Sequence, residues 1–258
     1  MKTTLITGAS GGIGEEFARQ LAARGNNLLL VARSEDRLAK LANELSDQHK
    51  ITAQHVALDL TAERAAHNLF AETERRELEV DFLINNAGFG SLGDFASFDV
   101  ERDEQMIALN ISVLVSLTHF YIRPMRERRR GAIINVASTA AFQPVPYMAT
   151  YAATKAFVLS FSEALAEENR QHGVKVMALC PGATDTNFFA AAEATRPPYR
   201  MMQTPQAVVE TALRALEKGN SHVISGWSNY FVTQAERLIP RSVVTRIAGK
   251  AMRHYGKD

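Results

Sequence analysis

The sequence predicts an α/β fold, a single doubly wound parallel sheet of about seven strands with helices on both faces. Three observations carry that prediction. Short apolar runs alternate with longer helical patterns along the chain, the order expected of βαβ units. Several of the runs are apolar throughout and do not alternate, as strands buried on both faces must be. The first run passes at once into a glycine-rich turn and a helix pattern, the usual opening of such a sheet.

In chain order the strand runs fall at 4–7, 28–32, 53–57, 82–84, 132–136 and 175–179, with a weaker one at 222–224. Helix patterns lie near 13–24, 35–48, 61–76, 100–129 and 150–171. Right-handed crossovers then put helices on both faces of the sheet. The 258 residues contain no low-complexity linker, repeat or composition break, so one domain over 1–258 is preferred to two. Segment 187–206 is the exception to regular patterning. It carries Phe188, Phe189, an alanine run, Pro197-Pro198 and Met201-Met202, and is expected to form a substrate lid, since long connections in compact domains are often functional.

Composition excludes several function classes. Twenty-nine Lys and Arg against 28 Asp and Glu leave a net charge of +1, so no global field recruits nucleic acid or an acidic membrane. One cysteine, Cys180, excludes an intrachain disulfide and an all-thiolate zinc site, and no metal is expected. No run of about 18 apolar residues suggests a spanning helix, and the N-terminus does not read as a signal peptide. The expected localisation is cytoplasmic.

The glycine turn is Thr7-Gly8-Ala9-Ser10-Gly11-Gly12-Ile13-Gly14. Glycines there permit a tight bend and a close approach of backbone N–H groups to phosphate, and the helix N-terminus adds its positive dipole end. The setting predicts a Rossmann-like dinucleotide site. The spacing T-G-x-x-x-G-x-G resembles the short-chain dehydrogenase/reductase family. Further matches follow in that family's order: Asn85-Asn86-Ala87-Gly88 to N-N-A-G, Asn110 to its helix asparagine, Ser138 after the fifth strand, Tyr151-Ala152-Ala153-Thr154-Lys155 to Y-x-x-x-K, and Pro181-Gly182 to the P-G after the sixth strand. They span about residues 3–190.

Tyr151 and Lys155 share a helix face by their spacing. A nearby ammonium favours the phenolate and brings a tyrosine toward the range useful for proton exchange. Tyr151 is therefore expected to protonate a carbonyl oxygen as hydride arrives from nicotinamide. Ser138 is expected to donate to the developing oxyanion. The resemblance implies that Lys155 also bonds the nicotinamide ribose and that Asn110 holds a water linking Lys155 to solvent. Tyr147 lies on roughly the same helical face, but Pro144 and Pro146 disfavour a helix that starts before it.

For the cofactor, Gly8, Ser10, Gly12, Ile13 and Gly14 form the phosphate turn. The second strand ends Val31-Ala32-Arg33-Ser34 with no carboxylate until Glu35. An arginine there accommodates the 2′-phosphate of NADP, so NADP(H) is expected over NAD(H), with Arg33 as the reader. Gly11 stands where many NADP-using relatives of the resembled family carry a second basic residue. Arg37 is a candidate substitute for it, a solvated helix residue being the commoner role. The resemblance places Asp59 beside the adenine ring, and Asp59 capping a helix near Thr61 is an equal alternative. It places Asn86, Ala87 and Gly88 beside the adenosine ribose, and Pro181, Gly182, Thr184 and Thr186 around the carboxamide. Cys180 reads as an inert buried thiol.

The substrate wall is expected from Phe89, Gly90 and Ser91, from 142–148 and from 187–206. These are mostly apolar or small, so a neutral hydrophobic ketone or aldehyde is preferred. Arg196 and Arg200 keep a 3-oxoacyl thioester as the alternative. An epimerase or dehydratase on the same scaffold is disfavoured by the short substrate region. A non-catalytic NADP-binding sensor is disfavoured because Ser138, Tyr151 and Lys155 are all present. The resemblance implies a homodimer or homotetramer through helices 100–129 and 150–171. The arginines at 126–130 read as a solvated helix end stopped by Gly131, not as a nucleic-acid site. The basic amphipathic tail over 237–258 sets Arg237, Arg241, Arg246, Lys250, Arg253 and Lys257 against Asp258. A packed helix or subunit contact is preferred there to peripheral membrane contact.

Overall fold

The fold begins as its hydrophobic pattern dictates. In the computed structural model, which describes residues 1–192 and 202–253, strand β1 (Lys2–Thr7) buries every residue after its first. Helix α1 (Gly12–Ala23), β2 (Leu28–Ala32), α2 (Glu35–His49), β3 (Ala53–Ala57), α3 (Ala65–Arg75) and β4 (Glu79–Asn85) complete the first half. The second half runs α4 (Val100–Ile107), a π-helical turn over Ala108–Val113, α5 (Leu114–Glu127), β5 (Gly131–Val136), α6 (Ala149–Asn169) and β6 (Val174–Cys180). It ends with α7 (Phe188–Ala191), α8 (Pro205–Glu217), β7 (His222–Ile224), α9 (Trp227–Glu236) and α10 (Arg241–Met252).

All seven strands pair in parallel, in the order β3-β2-β1-β4-β5-β6-β7. The order reverses between β1 and β4. That is the switch point, where strand ends diverge and an open parallel sheet accepts a ligand. One core joins the sheet to α1, α2 and α8 through Phe17, Leu21, Leu38, Leu45, Val208 and Leu213. The opposite core joins it to α3 and α5 through Leu69, Leu117, Tyr121 and Met125. Each such fully buried side chain contributes about 1.5–3 kcal/mol relative to exposure.

Several expectations need correction. The helix expected from 61 starts at Ala65, because Arg64 adopts a left-handed φ of 57° and ends a turn there. Helix α8 was signalled by Thr204 and Pro205 and missed: the Thr204 hydroxyl accepts from Ala207 N at 3.3 Å with proline at the first turn, a strong N-terminal pair. The helical stretch Val100–Glu127 is long and apolar enough to cross a membrane by length and composition. Its buried face, including Met106, Leu117, Tyr121 and Met125, packs in the protein core. The arginine run at 126–130 is not simply solvated. Arg126 bonds Asn169 Oδ1 at 2.6 Å, Arg128 donates to the Val80 carbonyl at 3.1 Å, Arg129 donates to the Gln171 carbonyl at 3.0 Å, and Arg130 pairs with Glu79. The left-handed residue that ends α5 is Arg129, at φ 52°, not Gly131. The Ser34 side chain makes no cap bond to α2. Residues 193–201 of the expected lid, with Arg196 and Arg200, and residues 254–258 of the tail lie outside the described residues.

A buried polar chain crosses the sheet beside the switch point. Asn85 Nδ2 donates to Thr118 Oγ1 at 3.0 Å and to Asn135 Oδ1 at 2.9 Å, and Asn135 Nδ2 donates to Ser162 Oγ at 2.9 Å. Burying these amides is tolerable only because they pair. Asn135→Ala removes one partner and leaves the Asn85 amide under-satisfied, which should cost about 1–3 kcal/mol. A lowered urea midpoint with an unchanged denaturant slope is the expected readout, and an unaltered midpoint would show that the chain carries no stability.

Candidate functional site

A cavity of about 620 Å³ opens at the carboxyl ends of the strands. Its floor is the turn between β1 and α1. Gly12 has a φ of +58°, and a Cβ there would lie 2.9 Å from Thr186 Cγ2. Gly14 is buried, and a Cβ on it would collide with the Gly8 carbonyl. A side chain at either position would close the floor, so this turn suits a ligand that must meet bare backbone. Gly8, Ser10, Gly12 and Ile13 line the cavity, whereas Gly14 lies beneath it. The glycine cradle fits a dinucleotide phosphate.

The next wall is the Asn85–Gly88 turn. Thr7 Oγ1 accepts from Asn86 N and Ala87 N at 3.0 Å each. Asn86 Nδ2 donates to the Thr7 carbonyl at 2.9 Å and to the Gly8 carbonyl at 3.2 Å. Asn86, Ala87 and Gly88 line the cavity, while Asn85 serves the sheet through the polar chain. Gly88 lies close under Asn110 and Lys155: a Cβ would fall 2.8 Å from Asn110 Oδ1 and 3.4 Å from Lys155 Nζ.

Asn110 sits in the π turn and is buried. Its side-chain amide is already engaged. Nδ2 donates to the Phe89 carbonyl at 3.0 Å and to Thr154 Oγ1 at 3.1 Å, and Oδ1 accepts from Phe89 N at 3.2 Å. Asn110 therefore pins the 88–89 loop to α6. A π turn of this kind is invisible to a 3.6-residue reading of the sequence.

Tyr151 and Lys155 stand in the first turns of α6 and are buried, with Lys155 Nζ 5.7 Å from the Tyr151 ring centre. Lys155 Nζ donates to the Val136 carbonyl at 2.8 Å, at the end of β5. Ser138 follows that strand, accepts from Ala140 N at 3.1 Å and is close enough to the Tyr151 phenol to favour its ionised form. The expectation that Lys155 pulls Tyr151 down is reversed by burial. Desolvation pushes the phenol up to about 12, with Ser138 opposing, and pushes the Lys155 ammonium down to about 8. Burial likewise raises the Cys180 thiol to about 12, which suits an inert residue. Tyr147 lies outside the helix at a φ of +66°, and its hydroxyl accepts from Arg253 Nε at 3.0 Å.

Pro181, Gly182, Thr184 and Thr186 all line the cavity. Thr184 Oγ1 donates to the Gly182 carbonyl at 3.0 Å, and Thr186 Oγ1 accepts from Phe188 N at 3.2 Å. Together these bonds hold the segment against the floor.

The adenosine end brings a surprise. Arg37 is exposed, and it also lines the cavity: a Cβ on Gly11 would lie 3.4 Å from its Nη2. Arg33 and Asp59 are exposed and are not part of the cavity wall. Asp59 accepts from Thr61 N at 2.9 Å and Thr61 Oγ1 at 2.7 Å. Those bonds, with the Arg33 charge behind them, hold its carboxyl below the usual range. It ties a turn and caps no helix, since α3 begins at Ala65. The missed signal for Arg37 was its place one helical turn after Arg33, on the side of α2 that faces the glycine turn.

The substrate side is narrower than expected. Phe89, Leu92, Val145, Met148, Phe188 and Phe189 line the cavity, with Met252 from α10 and Asn229 from α9. Gly90 instead lets Tyr151 and Phe188 close in, each 2.9 Å from where its Cβ would stand. Ser91 is buried away from the cavity, and the Phe142 ring faces His222 with centres 6.3 Å apart.

A profile of the short chain dehydrogenase family matches residues 2–197. Human very-long-chain 3-oxoacyl-CoA reductase is 29% identical over 98% of this chain and 81% of its own length. The 7beta-hydroxysteroid dehydrogenase of Mediterraneibacter gnavus is 32% identical over 87% of this chain and 86% of its own. A short-chain dehydrogenase from Sphingobium yanoikuyae, solved in complex with NADPH, is 31% identical over 92% of this chain and 94% of its own, with a TM-score of 0.82. The parallel sheet, the glycine cradle and these full-length likenesses agree, and the chain belongs to the short-chain dehydrogenase/reductase family of oxidoreductases.

Proposed function

We propose that this oxidoreductase is an NADP(H)-dependent carbonyl reductase, equally an alcohol dehydrogenase in reverse, for neutral hydrophobic ketones or aldehydes. The observation that carries the reading is the cavity wall. Among the described residues lining it, Arg37 and Lys155 are the charged ones, and both belong to the cofactor half. Leu92, Val145, Met148, Phe188, Phe189 and Met252 leave the substrate half apolar. Among the described residues a carboxylate would find no cationic partner there. The 7beta-hydroxysteroid dehydrogenase, and the bulky-bulky ketone specific alcohol dehydrogenase of Comamonas testosteroni, bear names that support a large apolar ketone or alcohol. The human relative's name favours a second reading, a 3-oxoacyl thioester with a long apolar chain.

The nicotinamide, when bound, supplies or accepts the hydride. Gly8, Ser10, Gly12, Ile13 and Gly14 would hold the pyrophosphate. Asn86, Ala87 and Gly88 would hold the adenosine ribose, and Pro181, Gly182, Thr184 and Thr186 the carboxamide. Arg33 and Arg37 flank the place for a 2′-phosphate, and Asp59 stands beside Arg33. The remaining steps belong to the protein. Ser138 donates a hydrogen bond to the carbonyl oxygen and orients it. Tyr151, which burial keeps protonated, gives that oxygen its proton. The charged Lys155 stabilises the phenolate left behind. Asn110 holds the Phe89 loop and α6 in register, so that the proton path from Lys155 is preserved.

Turnover of NADPH with bulky apolar ketones, steroids among them, and with 3-oxoacyl thioesters tests the reading. Tyr151→Phe should lower kcat by about 10²–10⁴ with NADPH binding retained, and undiminished turnover would refute the mechanism. Arg33→Ala and Arg37→Ala should each weaken NADPH about tenfold to a hundredfold, the size of a lost charge-assisted hydrogen bond. NADH should barely change, and equal losses for both cofactors would refute NADP(H) preference. The pH dependence follows from the two shifts. The proton on Tyr151 persists to about 12 and so sets no limit near neutrality. Lys155 is charged below about 8 and loses its charge as pH rises through that value, taking away its support for the phenolate. kcat/KM for reduction should be level below about pH 8 and fall above it, whereas a rise there would contradict the assignment.

A further inference from the structure

We infer that α9 and α10 form a docking surface for a bilayer of anionic phospholipid, placed at the mouth of the cavity. The two helices are amphipathic in the wrong sense for a buried pair. Trp227 and Phe231, four apart and stacked with centres 6.1 Å apart, are 81% and 62% exposed. Leu238, in the link between the helices, is 88% exposed, and Ile247 on α10 is 58% exposed. Only Thr233 of α9 and Val244 of α10 are fully buried. So many large apolar side chains on the outside mark an interaction surface.

Charge selects the occupant. Arg237, Arg241, Arg246, Lys250 and Arg253 are all exposed on this stretch, against the single carboxylate of Glu236. A two-fold contact with a second copy is self-complementary and would set these cations against themselves. An anionic lipid surface offers the opposite: phosphates for the arginines and lysine, and an acyl boundary for Trp227, Phe231, Leu238 and Ile247. Tryptophan and tyrosine, here Trp227 and Tyr230, favour that boundary. The rest of the chain holds 24 Lys and Arg against 27 Asp and Glu, so the excess positive charge is concentrated on this stretch.

Position gives the surface its meaning. Asn229 of α9 and Met252 of α10 line the cavity, and Arg253 bonds the hydroxyl of Tyr147, just ahead of α6. A bilayer seated on these helices faces the cavity mouth. The surface exists whatever the substrate proves to be, so its test uses no turnover.

The test is co-sedimentation of the full chain with vesicles of phosphatidylglycerol and phosphatidylcholine, and with phosphatidylcholine alone. Sedimentation should require phosphatidylglycerol and weaken with salt. Phe231→Glu with Leu238→Glu should reduce it about tenfold or more, while NADPH binding, thermal unfolding and oligomeric mass stay unchanged. Arg237→Glu with Arg241→Glu, which leaves the apolar face intact, should remove the preference for phosphatidylglycerol. Absence of sedimentation by the unaltered chain, or equal sedimentation by the variants, would overturn the inference. So would a fall in oligomeric mass on Phe231→Glu with Leu238→Glu, which would assign the face to a second copy.

Discussion

The molecule turns on one stitch at the switch point. Thr7, the last residue of β1, takes two backbone N–H groups from the turn after β4 on its hydroxyl, and Asn86 returns its amide to the Thr7 and Gly8 carbonyls. Strands that diverge at a sheet reversal leave unpaired backbone groups, and burial would make those costly. The stitch satisfies them with side chains short enough to leave the space above free. It also explains why glycine is needed at 14: the Gly8 carbonyl occupies the place where its Cβ would stand. The cavity floor, the entry angle of α1 and the position of the Asn86–Gly88 wall all follow from this one set of bonds.

From that wall the constraint passes to the catalytic side. Gly88 lies under Lys155 and Asn110, and Asn110 binds the Phe89 backbone in both directions while reaching Thr154 on α6. The π turn widens the helix where this bridge is made. Lys155 is thereby delivered to the Val136 carbonyl in a dry site, and dryness governs the electrostatics. With 5.7 Å from ring centre to ammonium, desolvation keeps the Tyr151 phenol protonated and lowers Lys155 to about 8, which leaves it charged at neutral pH. A neutral phenol is the form a proton donor needs. The buried ammonium is valuable after donation, when it faces an anion in a low-dielectric site.

The sheet was legible because parallel strands buried on both faces must be largely apolar, and several of the strand runs, Leu28–Ala32 the clearest, announce themselves that way. The glycine turn, Ser138, Tyr151 and Lys155 were legible because their spacing is itself the chemistry. What was not legible has physical reasons. A π turn has no 3.6-residue signature, so the engagement of the Asn110 side chain stayed hidden. Arg64 and Arg129 adopt positive φ without being glycine or asparagine, so element ends near them were misplaced. Arg37 looks like any exposed helical arginine until the glycine turn is seen to pass beside it. The balance between burial and charge at Tyr151 depends on how dry the site is, and no sequence spacing reports that.

The same reasoning bears on what the cavity admits. Gly90 lacks a side chain, and the space this leaves is taken by the Tyr151 ring and by Phe188, whose ring centre lies 5.3 Å from that of Tyr151. Phe188 in turn begins α7, the short helix that follows the Thr186 contact over the floor. One continuous line of contacts therefore runs from the phosphate turn through Thr186 and Phe188 to the proton donor. A ligand that settles the floor presses on Thr186, and a substrate that occupies the apolar half presses on Phe188. The two halves of the cavity meet at this segment, so it can report occupation of the cofactor half to the substrate half by packing alone. The apolar walls set which substrates are tolerated. Within them, Phe188 at the start of α7 packs against the ring of the proton donor.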